Sequence, residues 1–248
     1  MRRVPILMFH SISVAPENAR TPSLYLSPRR FRTYMAWLAR FGFRGVSMGE
    51  ASRALGGSER VVALTFDDGY ADNVEDALPI LREYGFTATC YVTSGHLGGF
   101  NEWDADVLRV RTRMMTREQL ASWRSAGMDV GAHTRTHRDL SACSDADERR
   151  EEISGSKLDL ERSTGGPVEH FSYPFGRYDA AAIEAVREAG FTTAVTVRDR
   201  RARASDDRFA LPRIYIGGNY PVPFVLARLL TRFGDWERRD EAHFLERS

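Results

Sequence analysis

Two adjacent carboxylates, Asp67 and Asp68, form the first candidate group for catalysis or metal binding in this sequence. They stand in residues 65–70, TFDDGY, after an apolar run that predicts a buried strand over residues 61–66. Carboxyl ends of parallel strands form the active face of α/β folds, and Gly69 permits a turn there. One carboxylate can then bind a cation while the other acts as a base. On its own, the segment also fits an ordinary turn.

Two histidines four residues apart form the second candidate group. His133 and His137 lie in residues 131–137, GAHTRTH, directly after another predicted strand. On a helix or a tight turn this spacing places both imidazoles on one side. One carboxylate and two imidazoles make a three-ligand set that leaves positions open for water and substrate. The sequence therefore predicts one divalent metal, with zinc as the first choice and cobalt, nickel or iron as further candidates.

Two further segments end predicted strands in the same way. Residues 171–176, FSYPFG, run from a strand into a Pro/Gly turn, where a backbone N–H could face a developing oxyanion. His10 ends the apolar run of residues 4–10. It fits either a buried structural histidine or an acid–base group on the same face as the carboxylates.

The elements that must position these groups alternate along the chain. Apolar and β-branched runs predict strands, and amphipathic stretches with caps predict helices between them. Such alternation is typical of a mostly parallel sheet with crossover helices, either open or closed into a barrel. The predicted strands cover residues 4–10, 61–66, 87–93, 128–132, 171–173, 192–197 and 214–216. The predicted helices cover residues 27–41, 74–84, 116–126, 145–163, 179–189 and 223–233, and residues 94–113 and 198–208 are long loops.

Together, the motifs resemble those of the polysaccharide deacetylases of carbohydrate esterase family 4, the NodB-like homology domain. TFDDG resembles the first family motif. Residues 133–137 resemble the second motif, His-Ser/Thr-x-x-His, and residues 172–176 resemble the third, Arg-x-Pro-aromatic-Gly. The resemblance extends over residues 4–217. It implies an α/β fold, a distorted (β/α) barrel with about seven strands. We expect one catalytic domain over residues 1–248, with a C-terminal helical tail at 221–248.

The resemblance also implies roles for individual residues. Asp68, His133 and His137 would bind the metal, and Asp67 would be the general base. The backbone N–H of Phe175 would stand where the family places its oxyanion donor.

The sequence departs from the family pattern at two places. Tyr173 stands where many members have an arginine that pairs with the base aspartate, and Arg213 is the predicted substitute. The family's last motif, Leu-x-His near the C-terminus, is missing there. In a circularly shifted branch of the family this strand comes first, and residues 8–10, MFH, fit that order. His10 would then be the general acid.

The implied activity is removal of N-acetyl groups from an amino sugar or an N-acetylated glycan. Asn101, Trp103, Tyr173 and Tyr178 are the predicted sugar contacts, since aromatic and amide side chains suit a sugar face. Two alternatives stay open. One is an amidohydrolase of the same fold that acts on a small non-sugar amide, and the other is a catalytically inactive relative that binds glycans.

Composition limits the remaining possibilities. With 248 residues, 42% hydrophobic and 28% charged, the chain can form a substantial core. The net charge of +1 argues against a nucleic-acid partner. Cys90 and Cys143 are far apart, which predicts free thiols. The apolar run of residues 4–9 is too short for a membrane span or a signal peptide, so we expect a cytoplasmic protein. The oligomeric state does not follow from the sequence.

Overall fold

A curled sheet of parallel strands forms the centre of the protein, whose computed structural model describes residues 3–54, 59–103, 105–218, 220–231 and 233. Its strands are β1 (Ile6–Phe9), β2 (Arg44–Val46), β3 (Val61–Phe66), β4 (Thr89–Val92), β5 (Asp129–Ala132), β6 (His170–Ser172), β7 (Thr193–Val195) and β8 (Ile214–Tyr215). Seven of them follow the order β7-β6-β5-β4-β3-β1-β8, and β2 pairs with β3 beside this path. The predicted distorted barrel with about seven strands is thus confirmed.

Strand β3 has three partners, and the chain returns to the sheet after β7. On β3, β2 pairs with residues 61–63 and β4 with residues 65 and 66, while β1 pairs in parallel with residues 63–66. Beyond β7, Val195 forms a parallel bridge to Leu211, three residues before β8. The carboxyl ends of the strands therefore converge on one opening.

Side chains of β3 divide between two hydrophobic clusters. Residues 62, 64 and 66 join the outer cluster under the helices, and residues 61 and 63 join an inner cluster with Met48 and Ala51. All six residues of β3 are buried, as expected for a strand covered on both faces. Strand alternation then directs Thr65 inward and brings Asp67 to the inner side where the strand ends.

Helices surround the sheet, most of them on its outer side, whereas Met48 and Ala51 of the helix over residues 48–54 belong to the inner cluster. They are α1 (Pro28–Arg40), α2 (Met48–Ala54), α3 (Leu78–Glu83), α4 (Ala105–Leu108), α5 (Arg117–Ser125), α6 (Ala146–Arg150), α7 (Ser156–Thr164), α8 (Ala180–Glu188) and α9 (Val222–Leu230). Helix α1 begins as predicted, because the Ser27 hydroxyl accepts a hydrogen bond from Arg30 N and Pro28 occupies the first turn. Thr116 and Gln119 form the predicted capping box of α5.

Two predicted helices contain a π-helical turn that their periodicity did not reveal. The helix expected over residues 74–84 is a π-turn, Asn73–Ala77, followed by α3. The helix expected over residues 145–163 is α6, a π-turn at Glu151–Gly155, and α7. A π-turn inserts one residue into the helical repeat, so the apolar spacing of the sequence still resembles an α-helix.

Elements between residues 44 and 54 were missed. Strand β2 has three residues, and its central Gly45 hides the strand signal. This glycine is required by packing, since a Cβ there would lie 2.6 Å from Phe86 Cδ2.

The predicted loop 94–113 contains α4 and a 3-10 turn at Ser94–His96. Three more 3-10 turns lie at Pro22–Leu24, Leu140–Ala142 and Pro174–Gly176. Of the predicted tail, residues 232 and 234–248 lie outside the described residues.

Two sequence expectations concern the whole chain. No helix within the described ranges is long and apolar enough to cross a membrane. Cys90 and Cys143 are both free, as predicted, and both are buried.

Candidate active site

The site lies where the strand ends converge, and its backbone is strained. Asp68 follows β3 with φ at 73°, Thr134 and His137 follow β5 with φ at 60° and 62°, and Phe175 follows β6 with φ at 58°. Within the described ranges, Arg109 is the one other non-glycine residue with a positive φ. Such conformations cost free energy for residues that carry a Cβ, and they cluster at functional sites. The strain here coincides with the segments that the motifs identify.

Asp68, His133 and His137 present three donor atoms to one another. Asp68 Oδ1 lies 3.5 Å from His133 Nε2 and 3.4 Å from His137 Nε2, and all three residues are buried. The donor atoms lie within 4.8 Å of one another. His133 Nδ1 lies 2.7 Å from the carbonyl oxygen of Ser172, which places the imidazole proton on Nδ1 and leaves Nε2 as a lone-pair donor. This donor set fits the divalent metal that the motifs imply.

The charge state of Asp68 agrees with a ligand role. Burial alone would raise the pKa of Asp68, but the adjacent imidazoles of His133 and His137 hold it well below its ordinary value. The carboxyl group is therefore ionised at neutral pH, as a metal ligand must be.

Asp67, the second carboxylate, is held by Arg213. Arg213 Nη1 donates to Asp67 Oδ1 at 2.7 Å and Nη2 to Oδ2 at 2.6 Å. The guanidinium is fully buried, and it also donates to Thr196 O, Thr65 Oγ1 and Ser172 Oγ. All five guanidinium N–H groups thus have acceptors, the condition for a stable buried cation. The structure thus brings together Asp67 and Arg213, the pair that the resemblance to the family predicted.

Burial raises the pKa of Asp67, and the Arg213 charge and hydrogen bonds lower it further than burial raises it. The pKa of Asp67 therefore lies below its ordinary value. Asp67 is ionised at neutral pH and can accept a proton, with its orientation fixed by the two parallel hydrogen bonds.

His10 stands at the same opening, after β1. Its carbonyl oxygen accepts a hydrogen bond from Asn73 Nδ2 at 2.8 Å, and its ring lies edge-on to Tyr215 with centroids 6.1 Å apart. Within the described residues, no hydrogen-bond partner reaches its buried Nδ1. Burial lowers the pKa of His10, against the opposing charges of Asp68 and Asp67. A histidine with a lowered pKa holds its proton loosely and is a strong donor when charged.

Aromatic rings enclose His137 on two sides. Trp103 stacks on the His137 ring with centroids 4.7 Å apart, and the Phe175 ring meets it edge-on at 4.5 Å. Trp103 Nε1 is buried, and the described residues offer it no hydrogen-bond partner. These contacts fix the ring plane of His137 and give this side of the site an apolar wall.

Comparison with known proteins identifies the family of the chain. The family profile described as "Polysaccharide deacetylase" matches residues 55–194, more than half of the chain. The chain belongs to the polysaccharide deacetylase family. Its match covers both TFDDG and the His133–His137 segment.

Individual members of the polysaccharide deacetylase family show how far the likeness extends. YxkH of Bacillus subtilis (strain 168), whose name assigns it provisionally to this family, is 29% identical over 218 residues, which are 86% of this chain and 71% of YxkH. The poly-β-1,6-N-acetyl-D-glucosamine N-deacetylase of Staphylococcus aureus (strain COL) is 22% identical over 191 residues, which are 74% of this chain. The match spans 61% of the length of that S. aureus protein.

A solved deacetylase has the same fold. The Streptococcus pyogenes deacetylase PplD, in complex with acetate, superposes with a TM-score of 0.79 and 29% identity, covering 91% of this chain and 97% of PplD. The match extends over most of both chains and supports a deacetylase-type hydrolase. The circularly shifted order of the His10 strand remains a prediction.

The predicted sugar contacts have different placements in this family member. Asn101 is fully buried, with Nδ2 donating to Val110 O and Oδ1 accepting from Thr112 N, so its amide holds its own loop. Tyr173 is also fully buried, its hydroxyl donates to Phe209 O, and its ring stacks on Tyr178. Asn101 and Tyr173 therefore have no surface left for a sugar, which corrects their predicted role. Trp103 and the half-buried Tyr178 stay predicted contacts.

Two supporting residues had no signal in the sequence. Asn73 holds the His10 carbonyl, and Glu152 accepts hydrogen bonds from Arg135 N and Thr136 N inside the second motif. Both stand in the first two positions of a π-turn. Neither lies in a family motif or at a distinctive spacing, so only the folded chain identifies them.

Proposed function

We propose that this family member is a metal-dependent N-deacetylase that acts on N-acetylated amino sugars in a glycan. The observation that carries the proposal is the donor set of Asp68, His133 and His137 beside a second carboxylate, Asp67, that Arg213 holds ionised. The name of the S. aureus relative directs the first choice of substrate to β-1,6-linked N-acetyl-D-glucosamine.

Asp68, His133 and His137 would hold one divalent ion, with zinc the first choice and cobalt, nickel or iron as alternatives. When bound, such an ion supplies Lewis acidity for the amide carbonyl and lowers the pKa of water. Asp68 and the two histidines are buried, so three protein ligands would be available while the remaining coordination positions stay open for water and substrate.

Asp67 acts as the general base. It accepts a proton from the water that attacks the acetyl carbonyl carbon, and Arg213 keeps the receiving oxygen in place. The backbone N–H of Phe175 is the proposed donor to the oxyanion that develops on the carbonyl oxygen.

His10 acts as the general acid. An amide nitrogen leaves poorly unless it is protonated, so cleavage of the C–N bond requires a proton donor as well as a base. His10 gives that proton to the leaving nitrogen, and the products are acetate and a free amino sugar.

Acetate release tests the proposal. The protein would be incubated with β-1,6- and β-1,4-linked N-acetylglucosamine oligomers, with zinc or with a chelator, and the Asp67→Asn variant would be assayed in parallel. We expect zinc-dependent release that Asp67→Asn lowers by about 10³-fold or more with zinc still bound. Near-normal activity of Asp67→Asn would reject the base assignment.

Two other outcomes identify the alternatives. A protein that holds one metal per chain but releases no acetate from sugars would move the substrate to a small non-sugar amide. A protein that holds no metal and releases no acetate would be a glycan-binding relative.

A further inference from the structure

The segment between the two histidine ligands has a conformation that requires outside support. Thr134 and His137 both adopt left-handed φ values, 60° and 62°, although neither is glycine. Each such residue costs free energy, and the conformation persists only where surrounding contacts over-determine it. The proposed catalytic roles leave Arg135 and Thr136, which lie between the ligands, unexplained.

Glu152 supplies one part of that support. Its Oε2 accepts hydrogen bonds from Arg135 N and Thr136 N, both at 2.9 Å, and its Oε1 accepts from Thr136 Oγ1 at 2.7 Å. Glu152 is 8% exposed, so these three donors take the place of water around its carboxylate. Two successive backbone N–H groups are thereby fixed in direction.

Arg135 supplies the other part. Its Nε and Nη2 donate to the two carboxylate oxygens of Asp159 at 2.7 and 3.1 Å, and it also contacts Glu151. The guanidinium crosses the helix at Gly155, where a Cβ would lie 2.6 Å from Arg135 Nε. Gly95 N donates to Arg135 O at 2.9 Å on the other side. Backbone and side chain of the segment are therefore both attached to residues 151–159.

We propose that Glu152 is a positioning residue that holds the His133–His137 segment in its strained conformation and so sets the affinity for the metal. The inference rests on the proposed metal site. Without the carboxylate, two backbone N–H groups lose their acceptor and the left-handed residues relax. His137 Nε2 then leaves its place beside Asp68. Loss of a partner that orients a metal ligand typically weakens metal binding about 10- to 100-fold.

Zinc affinity of Glu152→Ala and Glu152→Gln, measured by competition with a chromophoric chelator, tests the inference. In Glu152→Gln the amide oxygen can accept from both backbone N–H groups, and its NH₂ can donate to Thr136 Oγ1. We expect Glu152→Ala to weaken zinc binding about 10- to 100-fold, and Glu152→Gln to stay within about threefold of the wild type. Glu152→Asp, with a shorter side chain, gives an intermediate loss if Glu152→Ala does not fold.

Glu161→Ala is the matched control. Glu161 lies in α7, its Oε1 accepts a hydrogen bond from Val168 N at 3.1 Å, and it lies outside the site. We expect Glu161→Ala to lower stability and leave zinc affinity unchanged. Wild-type affinity in Glu152→Ala, equal losses in Glu152→Ala and Glu152→Gln, or an equal loss in Glu161→Ala would each overturn the inference.

The metal-free protein separates this inference from the proposed function. If the wild type binds no zinc, the metal site of the proposed function fails, but the ring resonances of His137 still report its position. We expect these NMR signals to shift in Glu152→Ala and to return in Glu152→Gln. Unchanged signals in Glu152→Ala would overturn the positioning role by themselves.

Discussion

An aspartate–histidine contact lies at each end of strand β5, and only one of these two contacts belongs to a candidate site. At the amino end, Asp129 begins β5 and His170 begins β6, with Oδ2 and Nε2 4.0 Å apart. At the carboxyl end, His133 follows β5 and lies 3.5 Å from Asp68.

The difference lies in what surrounds each contact. At the amino end, His170 Nδ1 lies 2.8 Å from Thr193 Oγ1, and Asp129 Oδ2 accepts from Gly49 N. Burial lowers the pKa of His170, so a neutral ring with a hydroxyl partner joins two strands. At the carboxyl end, a third donor converges on Asp68. Proximity of an aspartate and a histidine is therefore insufficient for a site, and left-handed backbone brings the third donor in.

Removal of one histidine from each end gives the largest expected effect. His133→Ala removes a ligand, so we expect zinc affinity to fall by more than about 100-fold, beyond the loss for a merely orienting partner. His170→Ala should leave zinc affinity within about twofold and lower only the stability, by about 1–3 kcal/mol. Metal analysis and chelator competition on both variants check this. Equal zinc loss in both would remove the distinction between the two ends.

Two buried arginine–aspartate pairs, one inside the candidate site and one outside it, allow a second comparison with a smaller expected effect. Arg213→Lys should lower kcat about 10- to 100-fold with little change in KM, because a lysine cannot hold both oxygens of Asp67. Arg228 forms a similar buried pair with Asp199, with Nη1 2.6 Å from Oδ2. Arg228→Lys should lower the unfolding temperature and spare kcat. Steady-state kinetics and thermal unfolding of both variants provide the measurement, and an unchanged kcat in Arg213→Lys would contradict the positioning of Asp67.

Asn73→Ala tests the support of His10. The variant loses the hydrogen bond to the His10 carbonyl oxygen, so we expect kcat to fall about tenfold while zinc affinity stays unchanged. A loss of zinc affinity instead of kcat would show that Asn73 supports the ligand side of the site. Turnover and zinc titration on the same preparation distinguish the two results.

The smallest expected effect is a change in the pH dependence of stability. Burial raises the pKa of Asp72 to about 6, above its ordinary value of 3.8. Between these values the folded state binds a proton that the unfolded state has released, so this group lowers the free energy of unfolding as pH rises from 4 to 6. The change is on the order of 1 kcal/mol after allowance for partial solvent exposure.

Asp72→Asn removes this contribution. Urea unfolding at pH 4 and pH 7 should show that the variant gains stability relative to the wild type as pH rises. A difference that is independent of pH would show that Asp72 does not titrate as its burial implies.

The sequence alone determined those helix starts and strands whose signals lie within a few neighbouring residues. Residues 27–28 and the Thr116–Gln119 box placed two helix starts, because caps act within one turn. Apolar runs placed β3 at its observed bounds, since a strand buried on both faces needs no partner to be recognised. Asp68, His133 and His137, which the structure brings together, were named from sequence as candidate ligands, because each lies in a short motif directly after a strand.

Tertiary structure alone decided the remaining features. The Asp67–Arg213 pair joins residues 146 positions apart, and the sequence could name Arg213 only as a candidate. The attachment of Arg135 and Thr136 to Glu152, and the burial of Asn101 and Tyr173, depend on how distant segments meet. The π-turns and the left-handed residues are stable only because those contacts oppose their cost. Helix capping and strand alternation depend on neighbouring residues, whereas the convergence of the site residues and the strained backbone conformations depend on the folded protein.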